Sequence, residues 1–582
     1  MPTTSDVFIY GATPASIFAA IVCARAGKTV VLLAPESGLG GMITGGLGIT
    51  DAPTGNFKNW AGGVVEEFTD ALAARTGFNA NGFMNWNFAP SDALTVFEAM
   101  VTAETNITRR MGEVVRHVAR NQAFYAQGVA IAALADIQTK ILNVTTDDDT
   151  YFASVFIDGS YNGGLMAAAK VKTLLGREAN TYRREERAGV LTGVHTTNNT
   201  TLGVDADGDL NKYTGWIAQE PDGAADRRFM ALGYRNCITN IDSANNLGFP
   251  APPGYDDADF LDDIAIANDR NVRINTRDQA YNPIYRTSYD PVRAEANITG
   301  WADLSELNRQ QRWWRSDFGA PGLSASGRLA NMMSERDKFA TNGSDIRGNK
   351  AHEYAAASEE RRAEIRDQLA YRELGRLHTM QNHPSVNSAT RDSFAAWGLC
   401  ADEWQTHYTL VQGWPSEIYE RTPRRLIGQA MMDFYSNVYQ TNWPDQIAVG
   451  AYFMDSKAKT IWTRPEGGQQ FEGNYETPSI ITDNDIQVGA GGYRSFGVPM
   501  RAVIAPRGEC DNLLVCWGIS STEFAHSAIR LEPFLSAVGE AVGHIAIASL
   551  NADVPPARLD YSPVRSRLDD AGLTIYRWEP VS

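Results

Sequence analysis

Two side chains that could move a proton stand three residues apart near the end of the chain, Glu523 and His526. Histidine titrates close to neutral pH, which suits it to general acid–base catalysis. On one turn of a helix the two residues would share a face. The alternative is structural: a buried, hydrogen-bonded histidine beside a glutamate that caps a helix or forms a salt bridge. Lys457 is a further candidate, either as an electrostatic partner or as a solvated surface lysine.

A basic and aromatic cluster at an apparent helix start could bind an anionic substrate. It contains Tyr419, Arg421, Arg424 and Arg425. A guanidinium group presents a fork of N–H donors that fits a carboxylate or a phosphate. An equally good interpretation is that these arginines anchor one part of the protein to another. Residues 311–315 (QRWWR) offer stacking surfaces for a sugar or a base, although a core or interface role is more usual for tryptophan.

Two glycine-bearing segments near the amino terminus could bind phosphate. The first, Gly11-Ala12-Thr13-Pro14-Ala15-Ser16, keeps only the first glycine of a dinucleotide-binding GxGxxG turn. Its small residues could still present helix N-terminal amides to a phosphate, and an ordinary strand-to-helix turn is equally compatible. The second segment has six glycines between Gly38 and Gly48, which permits close backbone approach to a ring or a pyrophosphate. Glu36 is a candidate ligand for ribose hydroxyls.

A strand–helix–strand unit is predicted to position both segments. The apolar run at 7–10 is followed by 15–26, which is rich in Ala, Ile and Val and stops at Gly27, and then by the apolar run at 29–33. This order predicts a parallel βαβ unit with its helix N-terminus at the loop after Tyr10. Further strands are predicted at 106–125, 128–139, 151–157 and 512–517, and further helices at 165–171, 354–377 and 531–550.

Composition narrows the possible functions. The chain has 52 Lys and Arg against 69 Asp and Glu, and its net charge of −17 argues against a nucleic-acid partner or an anionic membrane. Hydrophobic residues make up 43% of its 582 residues, enough for a substantial core. No run approaches the roughly 18 apolar residues of a membrane span, and the start lacks a signal-peptide pattern. We therefore expect a soluble, cytoplasmic protein.

The sequence lacks the signature motifs of several enzyme classes. The five scattered cysteines contain no CxxC pair, so buried free thiols are expected in place of disulfides or a zinc site. HExxH, GxSxG and the phosphate-binding loop GxxxxGK(S/T) are absent from the sequence. A metallohydrolase, a serine hydrolase and the usual nucleoside triphosphatase are therefore not indicated, and no metal site is predicted.

The opening stretch at 7–48, VFIYGATPASIFAAIVCARAGKTVVLLAPESGLGGMITGGLG, resembles the start of the xanthan-lyase-like FAD-dependent oxidoreductases. Members of that family carry a YGGTPAGI-type turn and an HLGGM-type loop. Further matches follow in the family's order at 156–180, 229–256, 397–432, 445–457 and 493–533. The chain departs from the family pattern at Ala34 (family Glu), Ser16 (Gly), Gly164 (Asp), Lys457 and Glu523 (His), and His526 (aromatic).

The resemblance implies an α/β fold with bound FAD. It implies a Rossmann-like, glutathione-reductase-like FAD-binding domain with a parallel sheet, interrupted by a large inserted α+β substrate or cap domain. The implied divisions are the FAD domain at 1–180 (with an insertion at 51–104) and 485–550, the cap at 181–484 and a tail at 551–582. The residues implied to contact FAD are Gly11, Thr13, Pro14, Ala15, Ser16, Glu36, Gly40, Gly41, Met42, Gly45, Gly46, Asp158, Gly518, Ile519, Ser520 and Arg530.

The resemblance also implies hydride transfer from a substrate C–H bond to the flavin N5 atom. His526 and Glu523 lie in the segment expected near the flavin ring, and Lys457 is the third candidate for the proton chemistry. Tyr419, Arg424 and Arg425 are the candidate ligands of a small or medium polar substrate, oxidised at a C–O or C–N bond. An oxidase or lyase acting on an amine or amino-acid conjugate, which could be linked to a nucleoside, and a non-catalytic FAD-binding protein stay open as alternatives. Oxygen, a quinone and another protein are all open as electron acceptors.

Overall fold

A computed structural model describes the chain at residues 2–48, 61–76, 86, 88–121, 139–185, 188–190, 221–239, 244–268, 338–340, 349–395, 397–405, 410–422, 424–438, 442–452, 454–456, 459–463, 469–472, 475–476 and 495–575.

Strands and helices alternate at the start of the chain, and the described residues of its middle form both helices and short strands. The strands are β1 (Thr3–Tyr10), β2 (Val30–Ala34), β3 (Ile107–Met111), β4 (His117–Arg120), β5 (Ile141–Thr145), β6 (Thr150–Asp158), β7 (Thr173–Leu174), β8 (Cys237–Thr239), β9 (Phe339–Ala340), β10 (Gly398–Leu399), β11 (Arg425–Leu426), β12 (Gln446–Ala451), β13 (Asp455–Ser456), β14 (Thr460–Thr463), β15 (Gln469–Glu472), β16 (Tyr475–Glu476), β17 (Ser495–Pro499) and β18 (Leu513–Val515). The α-helices are α1 (Pro14–Arg25), α2 (Gly41–Gly45), α3 (Gly63–Thr76), α4 (Pro90–Thr102), α5 (Gly164–Ala168), α6 (Leu261–Asn268), α7 (Asn349–Ala356), α8 (Glu359–Asn382), α9 (Ser388–Ala395), α10 (Phe434–Val438), α11 (Glu523–Ile529), α12 (Glu532–Ala552) and α13 (Tyr561–Asp570).

The predicted βαβ unit lies at the centre of a seven-stranded sheet. The sheet runs in the order β3-β2-β1-β6-β5-β4, and β18 also pairs with β6. β1, β2, β3, β6 and β18 are parallel, whereas β4 and β5 form an antiparallel extension. The fold is therefore the predicted α/β class with a Rossmann-like parallel sheet, and the strand expected at 128–139 lies largely outside the described residues.

The register of the sheet brings four chain segments to one edge. Tyr10 of β1 pairs with Leu33 of β2 and with Asp158 of β6, and Val515 of β18 also pairs with Asp158. Each of these strands therefore ends at the same carboxyl edge, where ligands bind in open α/β sheets. Segments separated by up to 500 positions in the chain meet there because the strands are parallel.

Both faces of the sheet are covered, as a parallel sheet requires. Val7 and Ile9 of β1 pack in a core with α1 and α12, while Phe8 and Tyr10 pack in a second core on the opposite face. All four side chains are at most 2% exposed. The alternation of β1 side chains between two buried faces explains why the run is continuously apolar.

Helix α12 is long and apolar enough to span a membrane, which the sequence analysis does not anticipate. It is the one such helix among the described residues, and 94% of its most apolar stretch is buried inside the protein. It crosses α1 at Gly539, where a β-carbon would collide with the backbone of Ala15. The apolar surface of α12 is therefore used to build the core beside the sheet.

The middle of the chain forms a separate hydrophobic core around α8. The sequence predicts one helix over 354–377, but the structure has two, because Ser358 caps a new helix by accepting a hydrogen bond from the Arg361 amide at 3.3 Å. Ile365 and Leu369 of α8 are fully buried in this core. Short antiparallel strands accompany these helices, and the domain boundaries stay predictions.

Candidate functional site

The turn after β1 is locked to the loop after β6. Gly11 has a φ of +98°, and a β-carbon there would lie 2.6 Å from the backbone nitrogen of Ser160. Thr13 donates a hydrogen bond to the Gly159 carbonyl at 2.7 Å, and its hydroxyl also caps α1 by accepting from the Ser16 amide at 3.4 Å. Only glycine fits the first position, and the positive end of the α1 dipole is aimed at the carboxyl edge.

The second glycine segment folds back onto this turn. The Gly40 amide donates to the Ala12 carbonyl at 2.8 Å, and the Met42 amide donates to the Tyr161 hydroxyl at 2.6 Å. Gly40 has a φ of +96° and Gly41 one of +48°. The segment is therefore held beside the α1 N-terminus by backbone contacts.

Gly45 and Gly46 have a different environment from the other glycines of this segment. A β-carbon on Gly45 would collide with the side chain of Glu417, and one on Gly46 would lie 2.7 Å from the Arg235 carbonyl oxygen. Both glycines therefore let α2 pack closely against the middle region of the chain.

A cavity of about 350 Å³ opens at the end of β2. Glu36 and the 37–39 loop form one wall, and Arg366 of α8 and Glu417 form part of another. The Glu36 Oε2 atom is buried and finds no hydrogen-bond partner in the described part of the chain. Burial raises the pKa of Glu36 to about 7. An acceptor without a partner, beside a cavity at this edge, fits the ribose of a dinucleotide.

Asp158, the last residue of β6, is hydrogen-bonded to the loop that follows the strand. Its carboxylate accepts hydrogen bonds from the Ser160 amide at 3.0 Å, the Ser160 hydroxyl at 2.7 Å and the Met166 amide at 2.7 Å. Burial raises the pKa of Asp158. The side chain thus shapes the loop after β6 and the start of α5.

The segment after β18 is fully buried and forms backbone hydrogen bonds with residues 426–432. The Leu426 amide donates to the Gly518 carbonyl at 2.9 Å, and the Met432 amide donates to the Ser520 carbonyl at 3.0 Å. Ile519 is completely buried. The Ser520 amide also donates to the Ala502 carbonyl at 2.8 Å, so these backbone groups hold the segment in place at the carboxyl edge, and the contacts of Gly518 and Ser520 with FAD stay predictions.

His526 lies on α11, directly after this segment, and is fully buried. Its Nδ1 atom lies 3.2 Å from the Ser521 hydroxyl. That hydroxyl donates a hydrogen bond to the Ile519 carbonyl at 3.2 Å, so its oxygen must accept the hydrogen bond from Nδ1–H. The Nε2 atom then carries the lone pair, and it has no hydrogen-bond partner among the residues that the structure describes.

Electrostatics keep this imidazole neutral. Burial, with smaller contributions from the positive charges of Arg425 and Arg530, lowers the pKa of His526 well below its ordinary value. A neutral ring with an open nitrogen has its lone pair available for a proton, and the lowered pKa makes it a weaker base than a free histidine.

Glu523 is paired with a lysine that the sequence analysis did not select. Lys459 lies 3.0 Å from the Glu523 carboxylate, and both side chains are almost fully buried. Lys457, the predicted candidate, lies outside the described residues. Glu523 therefore stands in the salt-bridge role given as the structural alternative.

The predicted helix start at Tyr419–Arg425 is wrong. The described residues of this segment are not helical, and Arg425 begins β11, which pairs with β7. Arg425 is fully buried, donates to Glu178 at 2.6 Å and to the Ser521 carbonyl at 3.1 Å, and so anchors two parts of the chain. Long-range strand pairing overrides the local helical pattern here.

Tyr419 and Arg424 have contrasting surroundings. Tyr419 is buried among three guanidinium groups, with Arg421, Arg235 and Arg530 at 4.5, 5.1 and 5.6 Å from its ring centre. Its hydroxyl bonds to Arg530, which also pairs with Asp455 at 3.0 Å. Arg424 is only partly buried and reaches the Thr173 hydroxyl at 3.4 Å.

Sequence reasoning missed a hydrogen-bonded chain that joins the edge to α12. Tyr161 donates to Glu532 at 2.6 Å and packs edge-on against Trp517, with ring centres 4.5 Å apart. Burial raises the pKa of Glu532 to about 8. Tyr161 and Glu532 both lie inside segments that resemble the family, so their position in those segments was the available signal.

The arrangement as a whole fits FAD. The turn at 11–16, the segment at 40–42 and the backbone at 518–520 would hold the dinucleotide, and Glu36 at the cavity would hold its ribose. These assignments of individual residues stay predictions.

Comparison with known proteins gives one extended match. The model of the FAD dependent oxidoreductase family matches residues 6–568. No curated protein matches the chain.

Three similar solved structures match between 31% and 35% of the chain. Thioredoxin reductase from T. acidophilum is 20% identical over 35% of this chain and 39% of its own, with a TM-score of 0.16. THI4 from Thermovibrio ammonificans is 15% identical over 31% of this chain and 71% of its own, with a TM-score of 0.21. L-proline dehydrogenase from P. horikoshii is 12% identical over 31% of this chain and 59% of its own, with a TM-score of 0.21.

The matched segment spans less than two thirds of the thioredoxin reductase and the proline dehydrogenase chains. The family model, in contrast, covers nearly every residue from the first strand to the last helix. This protein belongs to the family of FAD-dependent oxidoreductases, and FAD is its cofactor.

Proposed function

We propose that this enzyme oxidises a small or medium polar substrate at a C–O or C–N bond. Bound FAD supplies the hydride acceptor, its N5 atom, for the substrate C–H bond. His526 takes the accompanying proton on Nε2. The observation that carries this proposal is the buried, neutral imidazole with an open nitrogen, directly after the backbone segment at the carboxyl edge.

Ser521 fixes the orientation and tautomer of this base. Its oxygen accepts a hydrogen bond from Nδ1–H, and its hydroxyl donates a hydrogen bond to the Ile519 carbonyl. A base held in one tautomer presents its lone pair without reorganisation, which is how positioned groups accelerate proton transfer. After proton uptake, the ring becomes a cation beside Arg425 and Arg530, so that the proton is readily released again.

Lys459 and Glu523 position the helix that carries the base. Glu523 is the first residue of α11, and its backbone amide donates to Glu178 at 2.8 Å. Its carboxylate is neutralised by Lys459 at 3.0 Å. We assign to this pair a positioning role and to His526 the proton transfer.

Tyr419 and Arg424 are the proposed substrate contacts. Tyr419 lies in a strongly positive environment of three arginines, which favours a substrate with acceptor oxygens. Arg425 is engaged with Glu178 and is left out of the proposed substrate contacts.

Anaerobic reduction of the bound flavin tests the proposal. Purified holoenzyme is mixed with alcohols, sugars, amines and amino-acid conjugates, and bleaching of the flavin absorbance is followed. His526→Gln should slow reduction by about 100- to 10,000-fold while FAD stays bound, which is the usual contribution of a general base. His544→Gln is the matched control, because His544 is also buried but lies on α12 away from the edge.

Each outcome of the screen selects one function. Bleaching by alcohols or sugars supports the proposal, and bleaching by amine conjugates alone supports the second candidate substrate class. Product formation without bleaching indicates a lyase, and a bound flavin that no substrate reduces indicates a non-catalytic protein. An unchanged reduction rate in His526→Gln removes the assignment of His526.

A further inference from the structure

Two cysteines far apart in the sequence meet in the middle region. Cys237 begins β8, and Cys400 directly follows β10, 163 positions later. The antiparallel pairing sets Leu399 opposite Ile238, and continuing that register sets Cys400 opposite Cys237. The Cys400 amide donates to the Cys237 carbonyl at 3.1 Å, and the two Sγ atoms lie 3.3 Å apart.

This geometry suits a disulfide bond. Directly opposed residues in antiparallel strands have Cα atoms about 4.5–5.5 Å apart, which lies within the range of about 4.4–6.8 Å found in disulfides. The two sulfur atoms need to approach by about 1.3 Å to reach a bonded distance near 2.05 Å. Small rotations of two side chains on an existing strand ladder achieve this.

Trp404 connects the cysteine pair to the cofactor cavity. Cys237, Cys400 and Trp404 form one small buried cluster. Trp404 also lines the cavity, and its indole N–H donates to the Thr44 carbonyl of α2 at 2.9 Å. Its φ of +50° is unusual for a bulky residue, so its backbone is held there by its surroundings. A bond between the two cysteines would therefore affect Trp404, a strained residue in the cavity wall.

We propose that Cys237 and Cys400 are a redox modification site: a dithiol that oxidises to an intrachain disulfide and thereby shifts Trp404 at the cavity. With a hydroperoxide as the oxidant, one thiol attacks the peroxide oxygen and forms a sulfenic acid, releasing water or an alcohol. The second thiol then displaces water from the sulfenic acid and forms the S–S bond. Two thiols and one hydroperoxide are consumed, and the two electrons reduce the peroxide O–O bond.

Burial explains why this pair stays reduced until an oxidant arrives. Burial and the neighbouring Cys400 raise the pKa of Cys237 well above its usual value. A protonated, buried thiol reacts slowly, so we expect the oxidation of this pair to be slow.

Peptide mapping of the wild-type holoenzyme tests the site directly. The enzyme is treated with hydrogen peroxide, unfolded in an alkylating reagent and digested, and free thiols are counted by mass. The count should fall from five to three, with a linked peptide pair containing Cys237 and Cys400 that a reducing agent separates. Five remaining thiols, or a linkage between other cysteines, would overturn the proposal.

Two double variants are matched controls for the thiol count. Cys510→Ser with Cys516→Ser removes two other buried cysteines, and peroxide should still lower its count by two. Cys237→Ser with Cys400→Ser should show no loss. Since the mapping is done on the wild-type chain, its outcome does not depend on whether either variant folds.

A separate experiment tests whether the disulfide changes the cavity. FAD release from oxidised and reduced enzyme is followed by flavin fluorescence after dilution. Oxidised enzyme should release FAD at least threefold faster, and a reducing agent should restore the slow rate. Equal release rates, with the disulfide formed, would overturn the link through Trp404 and leave the modification site in place.

Discussion

Two segments with different chemistry lie at the carboxyl edge of the sheet. We call the turn after β1 the backbone side and the segment after β18 the ionisable side. The turn after β1 is held by backbone and hydroxyl contacts, such as that from Thr13 to the Gly159 carbonyl. The segment after β18 leads into ionisable side chains, among them the buried pair of Glu523 and Lys459 and the neutral His526. Backbone groups fit a cofactor of constant shape, whereas buried ionisable groups control charge and protons. Substitutions on the first side should change FAD occupancy, and those on the second should change stability and proton chemistry.

The strongest expected effect is on the ionisable side. Lys459→Met leaves the Glu523 carboxylate buried without its cation, which should lower the free energy of unfolding by about 3–5 kcal/mol. Denaturant unfolding measures the change. The control is Lys459→Met combined with Glu523→Gln, which should recover most of the loss. A double variant as unstable as the single one would mean that the pair is not the cause.

On the backbone side, Gly11→Ala should be the most damaging small change. The new β-carbon must adopt a φ of +98° and lies 2.6 Å from Ser160, so we expect a loss of about 3 kcal/mol and reduced FAD occupancy. Occupancy is read from the flavin absorbance of the purified protein.

Gly27→Ala is the matched control for that variant. Gly27 has a φ of +76° but nothing within 4 Å of its β-carbon position. It should lose only about 1 kcal/mol and keep its FAD. Equal effects at the two glycines would show that the contact with Ser160 is unimportant.

The pH dependence of stability gives a smaller test of the ionisable side. The pKa of Glu532 is raised to about 8 from 4.5, so between these values the folded protein holds a proton that the unfolded chain releases. Its contribution to stability is therefore complete below pH 4.5 and is lost as the pH rises to 8. Glu532→Gln should flatten this decline.

Unfolding curves at several pH values measure that slope. Glu98→Gln, on the partly exposed surface of α4, is the control and should keep the wild-type slope. A decline that persists unchanged in Glu532→Gln would assign the proton uptake to another group.

The smallest effect is expected where both sides meet at the cavity. Glu36→Gln keeps the shape of the side chain but weakens the acceptor proposed to bind ribose. We expect about fivefold weaker FAD binding, equivalent to about 1 kcal/mol. Equilibrium titration of the apoprotein measures it, with Glu67→Gln on the exposed surface of α3 as the control. Unchanged affinity would separate Glu36 from the cofactor.

The differences between expectation and structure have definite causes. The break between α7 and α8 depends on one hydroxyl of Ser358 bonding to a backbone amide, a contact that a helical pattern of apolar residues does not reveal. Arg425 pairs with Glu178, which lies 247 positions earlier, so its anchoring role required the folded chain. The apolar pattern of β1, α1 and β2, in contrast, was sufficient to predict these elements because neighbouring residues determine them.

By itself the sequence determined the βαβ unit, because its apolar pattern depends on residues that are adjacent in the chain, and it indicated the family and the cofactor through matched motifs along the chain. Only the tertiary structure decided the tautomer of His526, the partner of Glu523 and the meeting of Cys237 with Cys400. These properties arise from burial and from contacts between distant segments. Desolvation and charge pairing act through space, and no local pattern of residues encodes them.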